Sequence, residues 1–566
     1  MNINSPATPS PTTLSPTTLS STTLAPDPRV RVPVLPTRIL MQEGPIENAG
    51  VLLTNAMGQA LVSPGEVCTL RQGASLLLDF GRELHGGLRL TTSQLEPLAP
   101  AKLRLRFGES ASEAMATPNN EHAVHDMEID LPPMGAAEFG LTGFRFARID
   151  VLSDATIQLM SAHAMTLMRP LQTVGAFECS DERLNQIWQT GADTVHLCLQ
   201  DFVWDGPKRD RLVWCGDLHP EVAVVNAVWG ELDIVPQSLD WARDSTPLPG
   251  WMNGISSYSM WWTIIHRDWF LHHGNRQYLE EQRVYLSNLL PLLLAFGEDE
   301  ITCGGDNPNA SWKFLDWPTQ GNDAAVNIGI HALLTMTLEA AAFICDQLNE
   351  TKLADSSRDL SSRLHAAAPP AIESSKQASA LLVLAGLQDA TTVNQTVLAR
   401  DPLRGISTFY GYYVLQARAE AGDYAGAIEV IRQYWGGMLD LGATSFWEHF
   451  ELEWKQNAGR IDELPNPETI DVHATYGEHC YIGHRHSLCH GWAAGPTAWL
   501  SEHVLGIRPL TPGCTRVSIA PQLADLQWAR GAFPTPFGPI RVLHERRDGK
   551  IHTEIEAPEG VEIVRE

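Results

Sequence analysis

The sequence predicts a mainly α protein with β: a large helical toroid flanked by N-terminal and C-terminal antiparallel β-sandwich domains. Three observations carry this. Between about Arg29 and Met168, short stretches such as "GFRFARIDVLS" alternate apolar and polar side chains between Gly, Pro and Ser, the period of half-buried strands. From about Cys179 the period lengthens to that of helices, joined by connections that are tight (Gly274-Asn275, Gly422-Asp423) or long (298–322, 449–486). After Pro509, strand-like segments return in "TRVSIAP", "LQWARGAFPTPFGPIRVLHER" and "KIHTEIEAP".

Taken in order, residues 1–28 form a Ser/Thr/Pro-rich leader, too polar to build a core and expected to be disordered. Residues 29–172 form the first sandwich, with "SLLLDFG" and "KLRLRFGES" among its strands. Residues 173–508 form the helical domain. Its first helix, in "SDERLNQIWQTGADTVHLCLQ", places Leu184, Ile187, Trp188, Ala192, Val195 and Leu199 on one face, with Ser180 as N-cap. Further helices are predicted at about 220–231, 257–273, 276–296, 324–348, 351–366, 375–387, 407–421, 424–436 and 488–505. Such pairing of connections predicts antiparallel hairpins closed into a ring, with the long loops gathered at one end, where function tends to sit. No 34- or 40-residue repeat supports an open solenoid. Residues 509–566 complete the second sandwich.

Composition bounds the function. The 566 residues hold 40 Lys and Arg against 67 Asp and Glu, a net charge of −27. That balance excludes a nucleic-acid partner, which needs clustered cations. No run approaches the ~20 apolar residues that span a bilayer, so no membrane partner is expected. Nine cysteines without a CxxC pair suggest neither a disulfide framework nor a zinc knuckle. With no basic and apolar signal segment, they predict a cytoplasmic location. The sequons at Asn309 and Asn394 are short enough to arise by chance. Nothing in the sequence bears on oligomeric state.

Residues 205–217 read "DGPKRDRLVWCGD". Gly206-Pro207 breaks the preceding helix, so the segment is a loop. Asp205, Asp210 and Asp217 alternate there with Lys208, Arg209 and Arg211, flanked by Trp204 and Trp214. A charged loop is usually a solvated face, and Asp217 could simply cap the next helix. Two tryptophans sharing the loop point instead to a binding surface. Carboxylates among cations grip hydroxyls, and an aromatic face takes C–H surface, as carbohydrate requires.

This loop resembles the signature of the α-L-rhamnosidases, glycoside hydrolase family 78. Similar blocks follow in order: "WKFLDW" (312–317), "YWGGMLDLGATSFWEHF" (434–450), "SLCHGWAAGPTAWLSEHVLGI" (487–507) and "GAFPTPFGPI" (531–540). The resemblance covers roughly residues 175–545. It implies an (α/α)6 barrel flanked by β-sandwiches and inverting hydrolysis of a rhamnoside, without a cofactor. Inversion needs a protonated acid and an ionised base ~6.5–9.5 Å apart. The resemblance places the acid at Asp210, where many relatives carry Glu, and the base at Glu448. It implies that Asp205, Arg209, Asp217 and His490 hold sugar hydroxyls, and that Trp214, Trp317 and Trp447 are apolar platforms. Read without it, Glu448 is an ordinary first-turn helix carboxylate after a Thr444/Ser445 cap.

Other readings remain. The toroid also suits an unsaturated-uronyl or α-glucan hydrolase, or a non-catalytic carbohydrate binder, against which both candidate carboxylates argue. His473, His479, His484, His486 and His490, with Cys480 and Cys489, invite a metal centre. With no HExxH or CxxC, and with His484-x-His486 read as one face of a strand, no metal is expected. No glycine-rich phosphate loop is present, so no nucleotide is expected.

Overall fold

The structure is a computed structural model that describes residues 26–56, 58–117, 125–303, 312–479 and 481–565. All but the last residues of the predicted leader, together with Asn309 and Cys480, lie outside them.

The N-terminal region is a nine-stranded antiparallel sheet. Its spine is the strand Ser75–Glu96, which pairs with Arg38–Glu43, Gly135–Val151 and Thr156–Met168. Leu76, Leu77 and Leu78 are all buried, which explains the unbroken apolar run. Leu76 and Leu78 enter the main core with Phe80, Phe107 and Phe144. Leu77 faces the other way, onto Phe146 and the short helix Ala111–Met115. That helix lies on the side of the sheet that meets the barrel, because the Ala111 N–H donates to Ile461 O (2.8 Å).

The barrel is a ring of antiparallel helix pairs. Ser256–His273, Thr351–Ala366 and Lys376–Leu384 all pack on Asp323–Leu348. This last helix is long and apolar enough to cross a bilayer, contrary to the expectation from the sequence, yet 72% of its apolar window is buried by its neighbours. Several predicted boundaries shift for local reasons. Asp181, not Ser180, caps Glu182–Cys198, accepting the Arg183 N–H (2.9 Å), while Ser180 Oγ accepts the Gln527 N–H (2.9 Å). Ile234–Asp244 was not foreseen as a helix; Pro236 reads as a break but sits in the first turn, where no N–H is needed. Arg276–Cys303 runs past the predicted end at 296. The helix predicted from 488 begins only at Gly491, because His490 is extended and its N–H donates to Phe446 O (2.9 Å).

The terminal sandwich recruits a strand from far upstream. Ala176–Cys179 pairs with Trp528–Phe533, which continues through Ile540–Arg547 to Lys550–Glu556. The second sheet joins Ile507–Pro509 to Arg516–Ile519, which pairs in parallel with Glu562–Arg565. His544 ties this sandwich to the barrel through Nε2 and Leu505 O (3.0 Å). Burial pushes its imidazole down to about 4, against ~6.5 in an unfolded chain. Between those values protons favour the unfolded state, so the stability held above pH 6.5 drains away as pH falls towards 4. His544→Gln is therefore expected to lose less stability than the parent between pH 7 and pH 5, by about 1–2 kcal/mol, readable from denaturant curves at both pH values.

The cysteines whose side chains are described are unpaired and buried. Asn394 is buried too, its Nδ2 donating to Asp423 Oδ2 (3.0 Å), so its sequon offers no accessible acceptor.

Candidate active site

The 205–217 segment is a loop between Glu182–Cys198 and Leu218–Val228. Asp210 and Arg211 both adopt left-handed backbone (φ 50 and 54), a strained pair for non-glycine residues. The bend is pinned by the Arg211 guanidinium, which donates to Pro207 O (2.9 Å) and Leu141 O (2.7 Å). The loop closes on itself through Asp205, whose Oδ1 accepts the Leu212 N–H (2.9 Å).

Arg209 is the hub. Its guanidinium is 2% exposed and lies 5.6 Å over the Tyr481 ring. Nε donates to Arg485 O (2.7 Å), Nη1 meets Asp210 Oδ1 (3.4 Å), and Nη2 donates to Glu448 Oε2. The two predicted catalytic carboxylates, 238 positions apart in the chain, thus share one cation from different nitrogens. Glu448 is not in a helix; it lies in an irregular segment, so the alternative of a helix-capping carboxylate fails. Its backbone is held by Ser487 O, Thr408 Oγ1 and Trp492 Nε1.

Asp217 occupies the cap position of Leu218–Val228 but makes no capping bond. Its carboxyl turns instead to Tyr258 Oη (3.3 Å) and His490 Nε2 (3.1 Å). Burial raises the Asp217 carboxyl and lowers the His490 imidazole to about 4. His490 Nδ1 is 3.7 Å from Glu448 Oε1. Asp205 is likewise raised, first by burial and then by Asp210 and Asp217.

These groups line one cavity of about 80 Å³ with Trp214 and Trp317. Trp214 meets Tyr258 edge-on, and Trp317 stacks on His479 and meets Phe314 edge-on. Larger cavities of about 430 and 360 Å³ exist, but neither contains a residue of 205–217 or Glu448.

Comparison with known proteins gives the arrangement a lineage. Residues 172–372 match the bacterial alpha-L-rhamnosidase 6 hairpin glycosidase domain, and residues 506–564 the bacterial alpha-L-rhamnosidase C-terminal domain. An alpha-L-rhamnosidase of Alteromonas sp. (strain LOR) is 21% identical over 521 residues, covering 83% of this chain and 53% of that protein. The crystal structure of the family 78 rhamnosidase of Bacillus sp. GL1 superposes with a TM-score of 0.70 at 24% identity, over 91% of this chain and 55% of the other. The rhamnosidase of Klebsiella oxytoca, solved with rhamnose bound, gives 0.63 at 20% identity, over 84% and 96%. The chain thus spans about half the length of the Alteromonas and Bacillus relatives.

Within this six-hairpin barrel one predicted residue is misplaced. Trp447 does not line the cavity; it is 1% exposed and packs edge-on against Phe450 and His486. It directly precedes Glu448, and its side chain departs into the core. Trp312, Tyr481 and Trp492 line the cavity unforeseen; the first two sit in the long connections, where periodicity carries no signal, and Trp492 lies in a segment read only as helix.

Three of the five histidines stay together, with the His473 ring 5.1 Å from His484 and 6.1 Å from His486, but each is engaged by other groups. His473 meets Ser110 Oγ through Nδ1 (2.7 Å), His484 meets Ser112 Oγ (3.2 Å), and His486 Nε2 accepts the His449 N–H (2.9 Å). His484 lies in the turn Gly483–Arg485, not on a strand as expected. His473 does come together with Glu109 and Glu113 in an arrangement that could hold a cation. Lys208 Nζ already lies 3.1 Å from Glu109 Oε2 and 3.0 Å from Glu113 Oε1, so an ammonium supplies the positive charge there.

Proposed function

We propose that this chain is an inverting glycosidase that releases terminal L-rhamnose from α-L-rhamnosides. The observation that carries the reading is the shared engagement of Asp210 and Glu448 by Arg209 at the wall of one aromatic-lined cavity.

Asp210 is the general acid that protonates the leaving oxygen. Glu448 is the base that takes a proton from water attacking the opposite face of the anomeric carbon. Arg209 donates to Glu448 Oε2 and so fixes the orientation of that carboxylate at the cavity wall. Asp205, Asp217 and His490, facing the same space, offer polar groups to sugar hydroxyls. Trp214 and Trp317 give the methyl and ring C–H faces an apolar wall.

The test is incubation with p-nitrophenyl α-L-rhamnoside followed by proton NMR from the first turnover. β-L-Rhamnose is expected to appear before mutarotation produces the α anomer. First appearance of α-rhamnose would reject inversion, and no release of rhamnose would reject the substrate. A panel of aryl glycosides in the same assay separates rhamnosides from uronyl or α-glucan substrates.

A further inference from the structure

The N-terminal β region reaches into the site through two carboxylates. Glu109 ends the strand side of the turn into the helix Ala111–Met115, and Glu113 lies within that helix. Both side chains are fully buried, as is Lys208 at 2% exposure. The Lys208 ammonium is surrounded by oxygens: Glu109, Glu113, His484 O (2.8 Å) and His486 O (2.7 Å). Lys208 sits two residues before Asp210.

Glu109 also grips the other side of the site. The Leu488 N–H donates to its Oε2 (2.5 Å), and its Oε1 lies 3.4 Å from Ser487 Oγ, whose single proton also faces Cys489 O (3.0 Å). Ser487 is itself joined to Glu448: its N–H donates to Glu448 Oε2 (3.3 Å), and its carbonyl accepts the Glu448 N–H (3.0 Å). One side chain from the N-terminal β region therefore bridges the loop bearing Asp210 and the segment fixing Glu448 and His490. The turn that presents it is fixed independently. Ser110 Oγ accepts the Glu113 N–H (3.1 Å), and Glu113 Oε2 accepts the Glu109 N–H (2.8 Å).

We propose that Glu109 is a positioning residue for catalysis: by bridging Lys208 to Ser487 and Leu488 it sets where Asp210 stands relative to Glu448. The inference rests on the rhamnosidase reading. Asp210 occupies a left-handed bend that its own loop strains to keep, and the Lys208 anchor two residues earlier opposes relaxation of that bend. Releasing the anchor displaces the acid while leaving the sugar-binding groups Asp217 and His490 bonded to each other.

A displaced general acid has a signature that general loosening lacks. Protonation matters for an alkoxide leaving group and hardly at all for a dinitrophenolate. Glu109→Ala is expected to lower kcat on methyl α-L-rhamnoside at least tenfold more than on 2,4-dinitrophenyl α-L-rhamnoside, with the Kd for L-rhamnose changed less than threefold. Glu109→Gln, which keeps an acceptor for the Leu488 N–H, is expected to recover part of the difference. Should Glu109→Ala not fold, Glu109→Gln is read on the same two substrates, and a preferential loss on the methyl glycoside is expected again. Equal losses on both substrates, or none, would overturn the proposal. Inactivity of the unaltered protein on both would instead overturn the rhamnosidase reading.

Discussion

Glu448→Gln is expected to lower kcat by about 10²–10⁴-fold on aryl and alkyl rhamnosides alike, the usual scale of a general base. The loss is indifferent to the leaving group because the base acts on water, not on the departing oxygen. Binding should weaken little: Gln retains the shape of Glu, and Asp217, His490 and Trp317 remain in place. The variant also takes from the buried Arg209 its closest carboxylate, leaving it only the longer contact to Asp210 (3.4 Å). A drop in Tm is therefore expected alongside the kinetic defect, and kinetics should be read well below the new transition. A kcat within a few-fold of the parent would remove Glu448 from the mechanism.

Asp210→Asn should behave differently. The amide has the size of the acid but no proton of suitable acidity, so the expected loss is again about 10²–10⁴-fold on substrates whose leaving group must be protonated. On 2,4-dinitrophenyl rhamnoside the loss should shrink towards a few-fold. Plotting log kcat against leaving-group pKa is the measurement: a steeper slope than the parent's assigns the acid, and an unchanged slope rejects it. At 26% exposure, Asp210 should cost little stability when replaced. The two variants together thus separate acid from base by slope rather than by size of defect.

Much of this site was readable from the chain. The 205–217 loop declared itself because charge and tryptophan concentrate where Gly206-Pro207 forbids a helix, and the structure brings Asp205, Arg209, Asp210, Trp214 and Asp217 to one cavity. Glu448 was readable only through family likeness. Nothing local distinguishes it from a carboxylate after a cap, since its neighbours 239 positions earlier are supplied by ring closure. Trp447 shows the converse: the motif that carries Glu448 to the cavity carries the adjacent indole to the core. The contribution of the N-terminal β region was missed although Ser110-x-x-Glu113 is a helix-start pattern. The pattern announces a cap but not what the cap's carboxylate faces. Twin left-handed residues at 210–211 have no sequence signal without glycine.

Strand Ala176–Cys179 precedes the whole ring, yet finds its partner, Trp528–Phe533, only after the last helix. During synthesis this strand emerges some 350 residues ahead of its mate and must wait through the making of every hairpin. So wide a loop closes slowly, because its entropy is surrendered before any contact rewards it. The pairing acts as a late clasp: the ring's two ends become joined only once the ribosome has delivered every helix between them.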